Sequence, residues 1–270
     1  MTTAWARILC KTSKLREKRQ PLQARNSRIA YFASILEAVV MSSLAIVLFL
    51  GTMAVSLWAT LRVRHVYWRF DQLPASSSLT GAEAAETILR RQGIHDVEVA
   101  QHDQMLEDHY DPNHKRLVLS RETFYGKSVA ALAVAAHECG HAIQHTVAYP
   151  PLQWRMASVG LTMFTSQIVL WLPLLGMFTG FIDTGVALIL AASAWGLLML
   201  FNLITLPVEF DASARARLLL TESGLIRTVQ EEEAVAKVLR AAAWTYVAAF
   251  ITSFDYFFLY LVSLLWGRRD

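Results

Sequence analysis

The sequence predicts a multi-pass α-helical membrane protein, four transmembrane helices carrying one small α+β domain. Three observations predict it. Hydrophobic residues make up 54% of the 270 and charged residues only 17%, against about 25% charged in an ordinary soluble chain. Ala38–Leu61, Met156–Ile182 and Thr184–Val208 carry no Asp, Glu, Lys or Arg, and Ala241–Gly267 carries only Asp255. Each is longer than the roughly 20 residues a helix needs to cross a bilayer core. The polar residues that remain gather chiefly between Arg62 and Arg155, enough chain for one small water-facing domain.

Residues 1–33 read as a basic juxtamembrane tail or a targeting segment. Residues 1–30 hold eight Lys or Arg against one acid, Glu17, while the whole chain carries only +3. A basic stretch of this kind suits anionic headgroups. It is not a nucleic-acid-binding signal, because no aromatic-interleaved fold accompanies it. A first transmembrane helix follows within 34–61, closed by Arg62 and Arg64.

The domain at 62–155 reads helix, strand, strand, helix. Thr80-Gly81-Ala82-Glu83 is a capping box, and Ala84, Ala85, Ile88 and Leu89 then recur at helical spacing up to Gly93. Val97-Glu98-Val99 and Arg116-Leu117-Val118-Leu119 alternate as half-buried strands. Between them Asp108-His109-Tyr110-Asp111-Pro112-Asn113 is rich in turn formers. Ser128 is the expected cap of a helix running to about Val147, stopped before Pro150-Pro151.

Residues 156–208 form a transmembrane hairpin, with Asp183 near its turn. The third span ends at Leu206-Pro207, and a second polar helical segment, 209–240, leads into a fourth span at 241–267 and a short tail at 268–270. Glu231-Glu232-Glu233 suits the positive end of a helix. Two crossings separate Arg155 from Glu209, so both polar segments face the same side of the membrane. Asp255, inside the fourth span, reads either as a functional acid or as one packed against a polar neighbour such as Asn202.

The chemistry lies in His137-Glu138-Cys139-Gly140-His141, inside the predicted last helix of the domain. Residues four apart sit one turn apart on one face, so both imidazoles can reach one zinc ion. Glu138, one residue step around, is placed as general base toward a water at the metal. The apolar lead-in Val129–Ala136 marks a buried helix, where abrupt polar residues need a partner and a metal supplies one.

Catalytic zinc ordinarily has three protein ligands. His145, Glu209, Asp211 and the group His109, Asp108 and Asp111 are candidates for the third. Glu209 is favoured by its emergence on the correct side, just after Pro207. Asp211, on the same turn, is placed to hydrogen-bond a ligand imidazole, and His145 lies at the rim. Tyr110, His109 and His145 are candidate donors to a developing oxyanion. The strand around Leu117–Leu119 is a possible edge for an extended substrate.

At these residues the chain resembles the YugP-like bacterial membrane zinc metallopeptidases. The likeness is carried by Asp108-His109-Tyr110-Asp111-Pro112, by Ser128–Glu138 with Gly140–Gln144, by Leu206–Ser213 and by Ala241-Ala242-Ala243 with Thr245–Ala249. It implies a zincin-like metalloprotease domain and one catalytic Zn2+. It further implies His137 and His141 as ligands, Glu138 as base and a bacterial inner-membrane location. A looser likeness to the HtpX and CAAX-prenyl-protease group implies Glu209 as third ligand, but Ser213 stands where that group carries an Asp.

The expected partners are the lipid bilayer and a peptide or membrane-protein substrate, with no nucleic acid. The alternative is a non-catalytic, zinc-stabilised membrane scaffold or quality-control adaptor. Basic residues flank both ends of the spans, so charge does not orient the protein. The free thiol of Cys139, within the motif and beside the expected metal, leans toward a reducing, cytoplasmic side.

Overall fold

The computed structural model describes residues 2–102, 108–179 and 183–266. The chain divides into two compact units, Met1–Leu50 and Gly51–Asp270. It is mostly helical, with a single three-stranded sheet among the described residues. The elements are α1 (Thr2–Asp71), α2 (Gly81–Arg91), β1 (Glu98–His102), β2 (His109–Asp111), β3 (Arg116–Ser120), α3 (Arg121–Tyr125) and α4 (Val129–Thr146). Then come α5 (Pro150–Thr179), α6 (Thr184–Glu222) and α7 (Val229–Trp266).

In the first unit the described residues are helical, and large apolar side chains such as Val39, Val40, Ile46 and Val47 are exposed. Three of the described helices are long and apolar enough to cross a membrane: Ser42–Asp71, Gly185–Glu222 and Val229–Leu265. The second expected span coincides with α5 as far as Thr179, and its end, residues 180–182, lies outside the described residues.

Two of these helices run farther than expected. Arg62 and Arg64 do not close the first one, which continues to Asp71 because Tyr67, with Val66 and Phe70, packs onto the core of the domain. Pro207 does not end its helix either; it sits inside α6. Proline removes one i→i−4 hydrogen bond, but α6 is packed against α4, α5 and α7, and that packing holds the helix together across the gap.

The domain elements follow their local chemistry. At α2 the Thr80 hydroxyl accepts from Glu83 N at 3.2 Å and the Glu83 carboxylate accepts from Thr80 N at 2.8 Å. Ala84, Ala85, Ile88 and Leu89 line its buried face. Ser128 caps α4, accepting from Ala131 N at 3.1 Å, and its own hydroxyl donates to Asp71 at the end of α1, 2.8 Å away.

The sheet holds one strand more than expected. Its order is β1-β3-β2, with β1 parallel and β2 antiparallel to β3. His109-Tyr110-Asp111, read as turn, is β2. The turn is the part after it, where Asp111 Oδ1 accepts from Asn113 N and His114 N. β3 is therefore the central strand, so Leu117–Leu119 has no free edge to offer a substrate; the edge strands are β1 and β2.

Candidate metal centre

Three helices meet at the His-Glu-Cys-Gly-His motif. On α4 the residues before it, Val129–Ala136, are small or aliphatic and, apart from half-buried Val134, fully buried. Small side chains let α6 come close. A Cβ added to Gly140 would lie 2.7 Å from the Ala212 carbonyl oxygen and 3.0 Å from its Cα. That contact sets Glu209, one turn earlier on α6, against the two histidines.

The geometry there is convergent. Glu209 Oε2 lies 3.2 Å from His137 Nε2 and 3.6 Å from His141 Nε2. The ligand atoms of His137, His141 and Glu209 all lie within 4.8 Å of one another, a grouping that can hold a metal ion. Zinc bonds of about 2.0–2.2 Å in a tetrahedron place ligand atoms roughly 3.3 Å apart, so this donor set and spacing fit zinc. The carboxylate is 1% exposed, and its other oxygen accepts from Arg155 Nη1 on α5 at 2.7 Å.

Each imidazole has a second partner. Ser213 Oγ lies 3.2 Å from His137 Nδ1, and Gln144 Oε1 lies 3.0 Å from His141 Nδ1. Ser213, the residue that departs from the related group's Asp, thus meets a motif histidine. Asp211 meets Gln144 and Arg215 at 2.8 and 2.6 Å, so its link to an imidazole runs through Gln144.

Glu138 is buried beside the two histidines. Burial pushes its carboxyl above the usual carboxylate value, against the opposing pull of His141 and His137. For His141, burial alone would lower the imidazole, but hydrogen bonding to the Glu209 carboxylate and the charge of Glu138 outweigh it and raise it. Glu138 borders two cavities, each of about 230 Å3. One is walled by Val63, Val134, Val238, Leu239 and Ala242 beside His137. The other is more polar, with His109, Tyr110 and Arg155 beside His141 and Glu209. Asp108 and Tyr246 border both.

The remaining candidates fall around this centre. Tyr110 Oη lies 2.9 Å from His145 Nδ1, so His145 sits at the rim through Tyr110. Burial, with Asp96 and Asp111 nearby, pushes the Tyr110 phenol up to about 12, keeping it a hydrogen-bond donor. Asp108 accepts from Ser120 N at 2.8 Å and Asp111 from His114, so both are engaged away from the ligand group. Asn202 donates to Ala249 O and Ser253 Oγ at 3.2 and 3.1 Å, not to Asp255.

Cys139 corrects an inference from sequence. It is completely buried, its thiol toward Ala85 O at 3.7 Å, and burial pushes its pKa up. An inert buried thiol says nothing about redox compartment.

Sequence reasoning missed Gln144, Arg155 and Tyr246. Gln144 stands three residues beyond His141, the spacing that puts two side chains on one helix face, and that signal was available. Arg155 and Tyr246 reach the site from α5 and α7 and leave no local trace.

The sequence profile of a family described as "Putative neutral zinc metallopeptidase" matches residues 45–265. A relative from Bacillus subtilis (strain 168), "Putative membrane protease YugP", is 40% identical over 228 residues, covering 84% of this chain and 99% of the relative. No solved structure matches the chain. With most of its length matched on both comparisons, the chain belongs to the YugP-like family of membrane zinc metallopeptidases.

Proposed function

We propose that the protein is a membrane-embedded endopeptidase that hydrolyses peptide bonds with one zinc ion held by His137, His141 and Glu209. The observation that carries this reading is the approach of Glu209 Oε2 to both imidazoles, beside a buried Glu138 that opens onto two cavities. Bound zinc supplies a Lewis acid that lowers the pKa of water from about 15.7 toward about 7 and stabilises charge on a carbonyl oxygen. Glu138 takes the proton from the attacking water and delivers it to the leaving amine nitrogen. Tyr246 borders both cavities, the second together with Glu209, and is assigned here as the donor to the oxyanion. Tyr110 serves the polar side.

A peptide lying across Glu138 places the residues flanking its scissile bond in chemically different cavities. The apolar one is walled by α1 and α7, two of the helices apolar enough to cross a membrane. This favours substrates that are membrane proteins or peptides near the bilayer surface. In the same reading the chain crosses the membrane four times, with 62–155 and 209–240 on one side, in a bacterial inner membrane; the relative's printed description as a putative membrane protease supports the membrane location alone.

The alternative, a zinc-stabilised scaffold, gives Glu138 no task, since a structural zinc site needs no base beside it. Glu138→Gln decides between them. The endopeptidase reading expects purified variant to keep zinc at parental stoichiometry and lose cleavage of a membrane-protein mixture by at least about 100-fold. Cleavage at the parental rate would remove Glu138 as the base and this reading with it.

A further inference from the structure

We propose that Gln144 is a positioning residue that fixes the tautomer and ring orientation of His141, and that Asp211 and Arg215 on α6 hold Gln144 in place. The inference rests on His141 being a zinc ligand. Gln144 is completely buried, and its two amide ends can be told apart by their partners. Nε2 lies 2.8 Å from the Val208 carbonyl oxygen and 2.8 Å from Asp211 Oδ2. A backbone carbonyl and a carboxylate only accept, so this end is the donating NH2.

The other end is therefore the acceptor, and it is Oε1 that faces His141 Nδ1 at 3.0 Å. An acceptor at that distance requires the proton on Nδ1, so in the neutral, metal-binding form of the ring the lone pair belongs to Nε2, on the side of Glu209. Asp211 is itself pinned by Arg215 Nε at 2.6 Å, one turn along α6. A chain of directed hydrogen bonds thus runs from Arg215 through Asp211 and Gln144 to His141. Every polar atom of Gln144 is used. His137 differs, because its partner is the Ser213 hydroxyl, which can donate or accept and dictates no tautomer.

The test measures zinc affinity of the full chain in detergent by competition with a chromophoric chelator, and thermal unfolding of the zinc-stripped protein. Gln144→Met keeps the volume and removes the acceptor; it is expected to weaken zinc binding about 10–100-fold. Gln144→Glu keeps an acceptor for His141 Nδ1 but loses the donor to Val208 O and Asp211 Oδ2; it is expected to destabilise the stripped protein yet bind zinc more tightly than Gln144→Met. A merely structural amide predicts the opposite, zinc affinity following the stability of the stripped protein across both variants. His141→Ala is the reference. If it releases zinc while Gln144→Met binds like the parent, or Gln144→Glu binds no tighter than Gln144→Met, the positioning role is overturned. If His141→Ala keeps its zinc, the ligand assignment beneath it falls instead.

Discussion

Arg155 and Glu209 form an ion pair across two helices, with Arg155 Nη1 2.7 Å from Glu209 Oε1. The pairing occupies one carboxylate oxygen and leaves the other, Oε2, aimed at both histidines. Arg155 thus divides the carboxylate into a structural half and a ligating half. Arg155→Met is expected to weaken zinc binding about 10–100-fold, as loss of a partner behind a ligand does. Arg155→Lys, a point charge without the planar fork, falls between. Chelator competition measures both, and parental affinity in Arg155→Met would refute this division of labour.

Gly140 faces the backbone of Ala212, where a Cβ would sit 2.7 Å from the carbonyl oxygen. Gly140→Ala must push α6 away, at a cost of about 1–3 kcal/mol. Because Glu209 lies on the displaced helix, the variant is expected to lose zinc as well as stability. Unchanged melting and zinc content would mean that α6 yields without moving its carboxylate.

The apolar cavity predicts selectivity. Ala242→Phe projects into it and is expected to lower kcat/KM about tenfold or more for peptides with a bulky apolar residue beside the scissile bond. Peptides with alanine there are expected to lose little, and zinc content to stay the same. An equal loss for both peptide sets would show that the cavity does not select.

Asp108 gives stability a pH dependence. Burial raises its carboxyl above the usual 3.8 despite hydrogen bonds from Ser120. The folded state therefore binds that proton more tightly than the unfolded chain, and this contribution is lost as pH rises through the raised value. Asp108→Asn removes the dependence, so its melting temperature is expected to gain on the parent's between about pH 4 and neutrality. A constant difference across that range would contradict the raised value.

What the sequence disclosed and what it hid follow from the range of the forces involved. Ser128 and the Thr80–Glu83 box were legible because caps act within one turn of helix. The two histidines were legible because helical spacing alone puts them on one face. β2 was hidden because three residues show no alternation, and its neighbour Asp111-Pro112-Asn113 carries a strong turn signal. Pro207 misled because its local cost is outweighed by packing from three other helices. Cys139 misled because motif membership suggested exposure, while its own side of α4 turns into the core. Glu209 was reached through membrane topology, and Arg155 and Tyr246 only once the helices were packed.

α6 passes Pro207 without a break and carries Glu209 on the same rod as its apolar stretch. At about 1.5 Å per residue it is a lever close to 60 Å long. Spans adjust their tilt when bilayer thickness changes, and in the proposed topology any such tilt moves Glu209, which stands about two-thirds of the way along this rod. On the proposed function, the thickness of the surrounding lipid is therefore expected to bear on how closely the carboxylate approaches the two histidines.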